Sequence, residues 1–139
     1  MTRASLPILI LTAILSCAGL YGCSSEGGDP LERLVAERGE PQKVYTVKAV
    51  VAVLPDPNSP LSEFQARHEP IPDFLDGDGK VIGMNEMTMP FPPADGVDID
   101  HLAIGDEVEI DFAVWWESER EGMPKTPFYR AVAIRKLDG

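Results

Sequence analysis

The sequence predicts an all-β fold: one small domain of five strands, closed or nearly closed into a barrel, with a β-hairpin inserted between the second and third strands. Three observations carry this. Five stretches within residues 44–139 either alternate apolar and polar side chains or are rich in β-branched and aromatic types, as half-buried strands are. Clusters of Pro, Gly, Asn and Asp separate them and mark turns. A stretch of this length holds a single core.

Ahead of the domain, residues 1–22 begin with Arg3 and continue into an apolar run at residues 6–15, LPILILTAIL. That run is shorter than the roughly 20 residues a membrane helix needs, and a basic start before a short apolar core describes a secretory signal. Leu20-Tyr21-Gly22-Cys23 resembles the bacterial lipoprotein signal, which implies that Cys23 is acylated and becomes the first mature residue. Ile14-Leu15-Ser16-Cys17 is a second candidate with a shorter apolar run, and an ordinary secretory signal with incidental cysteines is the alternative. The chain has two cysteines, Cys17 and Cys23. Processing at Cys23 leaves no free thiol and no disulfide, so a soft-metal site in the mature chain must use Met and His. Residues 23–43 are expected to be a tether. They open with the polar SSEGGD, and residues 30–39, PLERLVAERG, fit either a short helix started by Pro and stopped by Gly or more linker.

The first strand is residues 44–54, with Tyr45, Val47, Ala49, Val51 and Val53 on one face. Three prolines in residues 55–60 turn the chain. Residues 61–68 make the second strand, with Phe64, Ala66 and His68 on one face. The third strand is residues 86–91, ended by Pro92 and Pro93, which have no N–H to give a ladder. Residues 94–105 are a turn-rich connection with room for one helical turn. His101 lies here beside Asp98 and Asp100 and is expected to be exposed. Residues 107–117, EVEIDFAVWWE, alternate most cleanly, with Val108, Ile110, Phe112, Val114 and Trp116 buried and the other face wet. A loop with an incidental Met123 leads to the last strand, residues 128–137.

The inserted hairpin is residues 74–83, FLDGDGKVIG, where Phe74-Leu75 and Val81-Ile82 flank an Asp/Gly turn. A calcium loop fails on its spacing. With Asp78 at the fifth position and Gly79 at the sixth, the first and twelfth are Phe74 and Asn85, so both essential carboxylates are missing.

Chemistry concentrates on either side of that hairpin. Met84, Met87 and Met89 lie close together, and His68 precedes them. Met87 and Met89 are two apart on a strand and so share a face. Thioethers select Cu(I), and imidazole suits copper as well. Taken alone, such methionines are more often core filler, and a lone inward His is more often a hydrogen-bonded core residue.

His68-Glu69-Pro70-Ile71 followed by Met87-Thr88-Met89-Pro90-Phe91 resembles the CusF-type periplasmic copper- and silver-binding proteins and related copper-binding lipoproteins. The likeness extends through Leu102-Ala103-Ile104-Gly105-Asp106 and residues 129–137, covering roughly residues 44–137. It implies a five-stranded OB-like barrel in which His68, Met87 and Met89 bind Cu(I) or Ag(I). Two features depart from the family. Met84 stands where many members place a Trp, and the 19 positions from His68 to Met87 exceed the usual spacing. Asn85 and Glu86 must turn, or the strand must begin only at Glu86, if Met84 is to reach the same site.

The formal net charge is −11, and loss of residues 1–22 removes Arg3 and no acid, giving −12. Such a surface repels phosphates, which argues against nucleic acid. No nucleophile–base pair and no phosphate-binding Gly loop stand out, so an enzyme is not expected. The expectation is therefore an exported monomer in the bacterial envelope, on the periplasmic side, held to the membrane by a lipid anchor only. It binds Cu(I) or Ag(I) through His68, Met84, Met87 and Met89, and serves as a metallochaperone or buffer. Its partner is expected to be a copper efflux-pump component or another copper-receiving envelope protein. The alternative is a metal-free barrel acting as an interaction or structural module of the envelope.

Overall fold

The computed structural model describes residues 28–138; the expectations for the signal segment and for Cys23 lie outside them. Five strands form one antiparallel sheet. β1 is Lys43–Val53, β2 Gln65–His68, β3 Met87–Pro90, β4 Glu107–Glu117 and β5 Thr126–Lys136, preceded by a helix α1 at Pro30–Arg38. The strand order is β3-β2-β1-β4-β5.

β1 organises the sheet because it is long enough to pair twice. Lys43 to Val50 pair with β4, and Ala49 to Val53 pair with β2. Its alternation works as expected up to Val51: Tyr45, Val47, Ala49 and Val51 are buried. The register to β2 then shifts between Val51 and Val53, and Val53 faces solvent instead of continuing the buried row. β2 starts at Gln65, later than expected, because residues 55–62 are taken up by turns. There the Asp56 carboxylate accepts from Asn58 N, and the Ser62 hydroxyl accepts from Asp56 N. Phe64, Ala66 and His68 are all buried on one face.

No ladder joins β3 to β5, so the sheet is not closed. Of the expectation of a barrel closed or nearly closed, the five strands of one sheet are present and full closure is not. The proline pair after β3 explains why pairing stops, since Pro92 and Pro93 offer no N–H. The chain leaving β3 nevertheless crosses to β5. Pro93 bridges Ala131 in parallel, Ala131 N donates to Pro92 O at 2.9 Å, and Ala94 N donates to Ala131 O at 2.8 Å.

The main core joins β1, β2, β4 and β5 with Phe91, Leu102, Ile71 and Phe74. A second cluster on the outer face corrects the expectation that this side of β4 is wet. Ala113, Trp115 and Val132 are buried there beneath Leu31 and Leu34 of α1, and the indole of Trp115 donates to Gly39 O at 3.0 Å. Of the two readings left open for residues 30–39, the chain adopts the helix. Asp29 caps it by accepting from Leu31 N, Pro30 starts it, and Gly39, at φ 84°, ends it. Val132 is the extra residue where the β4–β5 register shifts, and the helix covers it.

The expected inserted hairpin is present as a bend rather than as two strands. Leu75 and Val81 make one isolated bridge, and Ile71 and Met84 make another. Val81 and Ile82 stay exposed because no further strand pairs with them. Among the described residues no helix is long and apolar enough to cross a membrane.

Candidate metal centre

β2 and β3 bring the predicted residues together. In their antiparallel pairing His68 is opposite Met87 and Ala66 is opposite Met89. Residues directly opposite share a face, with Cβ atoms roughly 5 Å apart and diagonal neighbours at about 7–8 Å. His68 thus has Met87 beside it and Met89 diagonally across, within reach of long side chains.

Of the two routes open to Met84, a turn at Asn85 and Glu86 or a strand that begins only at Glu86, the chain takes the turn. The strand begins at Met87, the chain bends at Glu86, and Met84 pairs with Ile71 through two backbone hydrogen bonds of 2.8 and 2.9 Å. This pair continues the β2–β3 register. The bend undoes the odd spacing, so Met84 packs against the main core, as Met89 does. The long His68–Met87 spacing is taken up as a hairpin and leaves the pairing at the site unaltered.

His68 is the singular residue. It is 0% exposed, the one buried polar or charged residue among the described residues, and its ring meets Phe91 edge-on at 5.9 Å. Nδ1 lies 2.6 Å from the carbonyl oxygen of Glu69. A carbonyl only accepts, so Nδ1 carries a proton, and in the neutral ring that leaves the lone pair on Nε2. That Nε2 is buried and has no hydrogen-bond partner. An unsatisfied buried polar atom costs about 1–3 kcal/mol and calls for an explanation. A soft metal ion between Nε2 and the neighbouring thioethers supplies one. One imidazole nitrogen and two or three thioether sulfurs fit Cu(I) or Ag(I) and suit neither calcium nor magnesium. No group of three or more His, Cys, Asp or Glu side chains among the described residues is placed to hold a metal.

Met87 differs from its neighbours. It lies on the edge strand β3 and is 48% exposed. Beside His68 a groove of about 550 Å³ is lined by Lys48, Arg67, Glu69, Glu86 and Glu107 among others, and Arg67 pairs with Glu86 at 2.6 Å. The candidate site therefore sets a buried nitrogen against a half-exposed methionine, Met87.

Sequence reasoning missed two supporting groups. The carbonyl of Glu69 sets the tautomer of His68, and no side-chain pattern announces it. The hydroxyl of Tyr129, on β5, donates to Pro90 O at 2.9 Å and pins the end of β3; burial pushes its pKa up. Its only sequence signal is a Tyr on a strand with an apolar face. Residues set aside stay apart from the site. His101 is exposed, with Nδ1 4.0 Å from Asp98, and Met123 is exposed on the β4–β5 loop. Asp76 accepts from Asp78 N and Lys80 N, both at 2.9 Å, which makes it a turn former. Those N–H groups, that of Lys80 first, hold its carboxyl below the usual range.

Comparison of the chain with family models, with curated proteins and with solved structures gives no match.

Proposed function

We propose that this protein binds one Cu(I) or Ag(I) ion and acts as a metallochaperone or buffer in copper handling or efflux, in the manner of the CusF-type proteins it resembles. The observation that carries the reading is the orphaned, buried Nε2 of His68 set across from Met87. His68, Met87 and Met89 are the proposed ligands, with Met84 as the fourth. The ion is cargo. Thioethers are neutral and bind without strong ionic attraction, so the metal leaves by stepwise exchange. The half-exposed Met87 is the natural first point of contact for a receiving protein. No catalytic step is proposed.

We further infer that the sheet is the wall of an OB-like barrel. The strand order and the parallel bridge from Pro93 to Ala131 support an OB-like barrel. Pairings followed from Met87 through His68, Ala49 and Val108 arrive at Lys136 on β5, well beyond the bridge point at Ala131. Barrel closure requires such a stagger. Export, acylation of Cys23 and a periplasmic position on a lipid anchor complete the proposal, on the strength of residues 1–23. The receiving partner is a copper efflux-pump component or another copper-accepting protein of the envelope.

The packing of Met84 and Met89 against the core favours the second reading, a metal-free module of the envelope. Silver titration separates the two. Ag(I) is diamagnetic, so NMR follows the methionine methyls and the His68 ring directly. The proposal expects Met87, Met89 and His68 signals to shift together and saturate at one equivalent. Shifts confined to Met123, or none at all, would leave the metal-free module.

A further inference from the structure

We propose that the inserted hairpin is a clamp that holds Met84 at the metal centre, and that it grips the far end of the sheet through Gly77. This rests on the copper reading above and assigns a positioning role to a segment with no ligand of its own, for residues 74–83 contain no His, Met or Cys.

The hairpin leaves from β2 and returns to β3, yet its anchors lie elsewhere. Phe74 packs on Tyr45 of β1 with ring centroids 5.1 Å apart, and Leu75 N donates to the Tyr45 hydroxyl at 2.9 Å. The side chain of Gln42 donates to Asp76 O at 2.8 Å, and Lys125 Nζ donates to Gly77 O at 3.1 Å. The tip is therefore tied to the start of β1 and to the residue before β5. Gly77 makes this seating possible. A Cβ there would lie 3.1 Å from Trp116 Cε3 and 3.2 Å from Lys125 Cβ, closer than ordinary contact. A turn held only by its own two arms would not need so close an approach.

The grip is transmitted to Met84 through backbone. Ile82 N and Gly83 N both donate to Phe74 O, and Met84 exchanges both its hydrogen bonds with Ile71. Methionine has three rotatable side-chain bonds, so metal binding must order those torsions in any case; a backbone held in place beforehand spares it the further cost of ordering the segment. Groups that only orient a ligand still matter to affinity, commonly by about 10–100-fold.

The test compares the wild type with Gly77→Val by anaerobic Cu(I) titration, X-ray absorption at the copper edge and amide exchange of the metal-free protein. The clamp predicts three sulfur neighbours in the wild type and two in the variant. It predicts roughly tenfold weaker binding and faster exchange at the Met84 amide, with stoichiometry still one. Unchanged sulfur count and affinity in the variant overturn the clamp. Two sulfurs already in the wild type also overturn it and leave the copper reading standing, whereas no Cu(I) bound by the wild type overturns both. Should Gly77→Val fail to fold, Gln42→Ala combined with Lys125→Ala removes two surface hydrogen bonds to the tip. Weaker binding then upholds the clamp, and unchanged binding overturns it.

Discussion

His68 and Met87 stand opposite one another across the β2–β3 pair, one wholly buried and the other half exposed on an edge strand. The pairing joins a ring nitrogen that lacks a partner to a methionine side chain that solvent reaches. It also divides the roles at the site. His68 is fixed by its surroundings, and Met87 is free to meet another molecule.

That division makes His68 costly to the metal-free fold. His68→Leu removes the unpartnered Nε2 together with the hydrogen bond from Nδ1 to Glu69 O. The gain and the loss are each about 1 kcal/mol, so the variant should stay within about 1 kcal/mol of the wild type while Cu(I) affinity falls at least about tenfold. Urea unfolding and a copper competition titration measure the two effects. Unchanged Cu(I) affinity would make His68 a core residue only.

Met87→Leu is the complementary case. The side chain is half exposed, so stability should change by no more than about 0.5 kcal/mol while Cu(I) binding weakens. Met89→Leu conserves volume in a partly buried place and should cost less than about 1.5 kcal/mol, again with weaker binding. Met123→Leu should alter neither quantity.

Away from the site, Asp111 ties three strands together. It accepts from Thr46 Oγ1 on β1 at 2.6 Å and takes a two-pronged contact from Arg135 on β5 at 2.8 and 3.1 Å. The Arg135 guanidinium, helped by Thr46, holds its carboxyl below the usual carboxylate range. A lowered native pKa contributes stability that is present above the unfolded value, near about 3.9, and lost as pH falls through the native one. Solvent screening keeps the contribution to about 1 kcal/mol. Asp111→Asn should therefore lose about that much at neutral pH, and its stability should converge on that of the wild type once the pH has fallen below the lowered native pKa.

The helix α1 should act on stability alone. Leu34→Ser withdraws half-buried apolar surface from the cluster of Trp115 and Val132. We expect a loss of about 1–2 kcal/mol, a red shift of tryptophan emission and unaltered Cu(I) affinity.

Local pattern exposed a good part of this fold and little of its closure. The buried rows of β1, β2 and β4 follow from alternation, because side chains on a strand must take opposite faces. The candidate site residues were legible because Met87 and Met89 share a face, because the order of His68 and the methionines resembles a known pattern, and because the spacing of Met84 required either a turn at Asn85–Glu86 or a late strand start. Long-range packing was not legible. Nothing in EVEIDFAVWWE says that α1 will cover Ala113 and Trp115. Nothing near Gly77 says that Trp116, 39 positions further on, will lie against it. The orphan state of Nε2 was equally hidden, since it depends on a backbone carbonyl and on burial from every side.

The central claim is that His68, Met87 and Met89 form a soft-metal site. Anaerobic titration of the protein with Cu(I) against a chromophoric competitor tests it most directly. The account predicts that the protein withdraws one Cu(I) per chain from the competitor, and that a His68→Leu, Met87→Leu, Met89→Leu triple variant withdraws none. A wild-type protein that leaves the competitor's copper untouched, or a triple variant that takes up as much as the wild type, would contradict it.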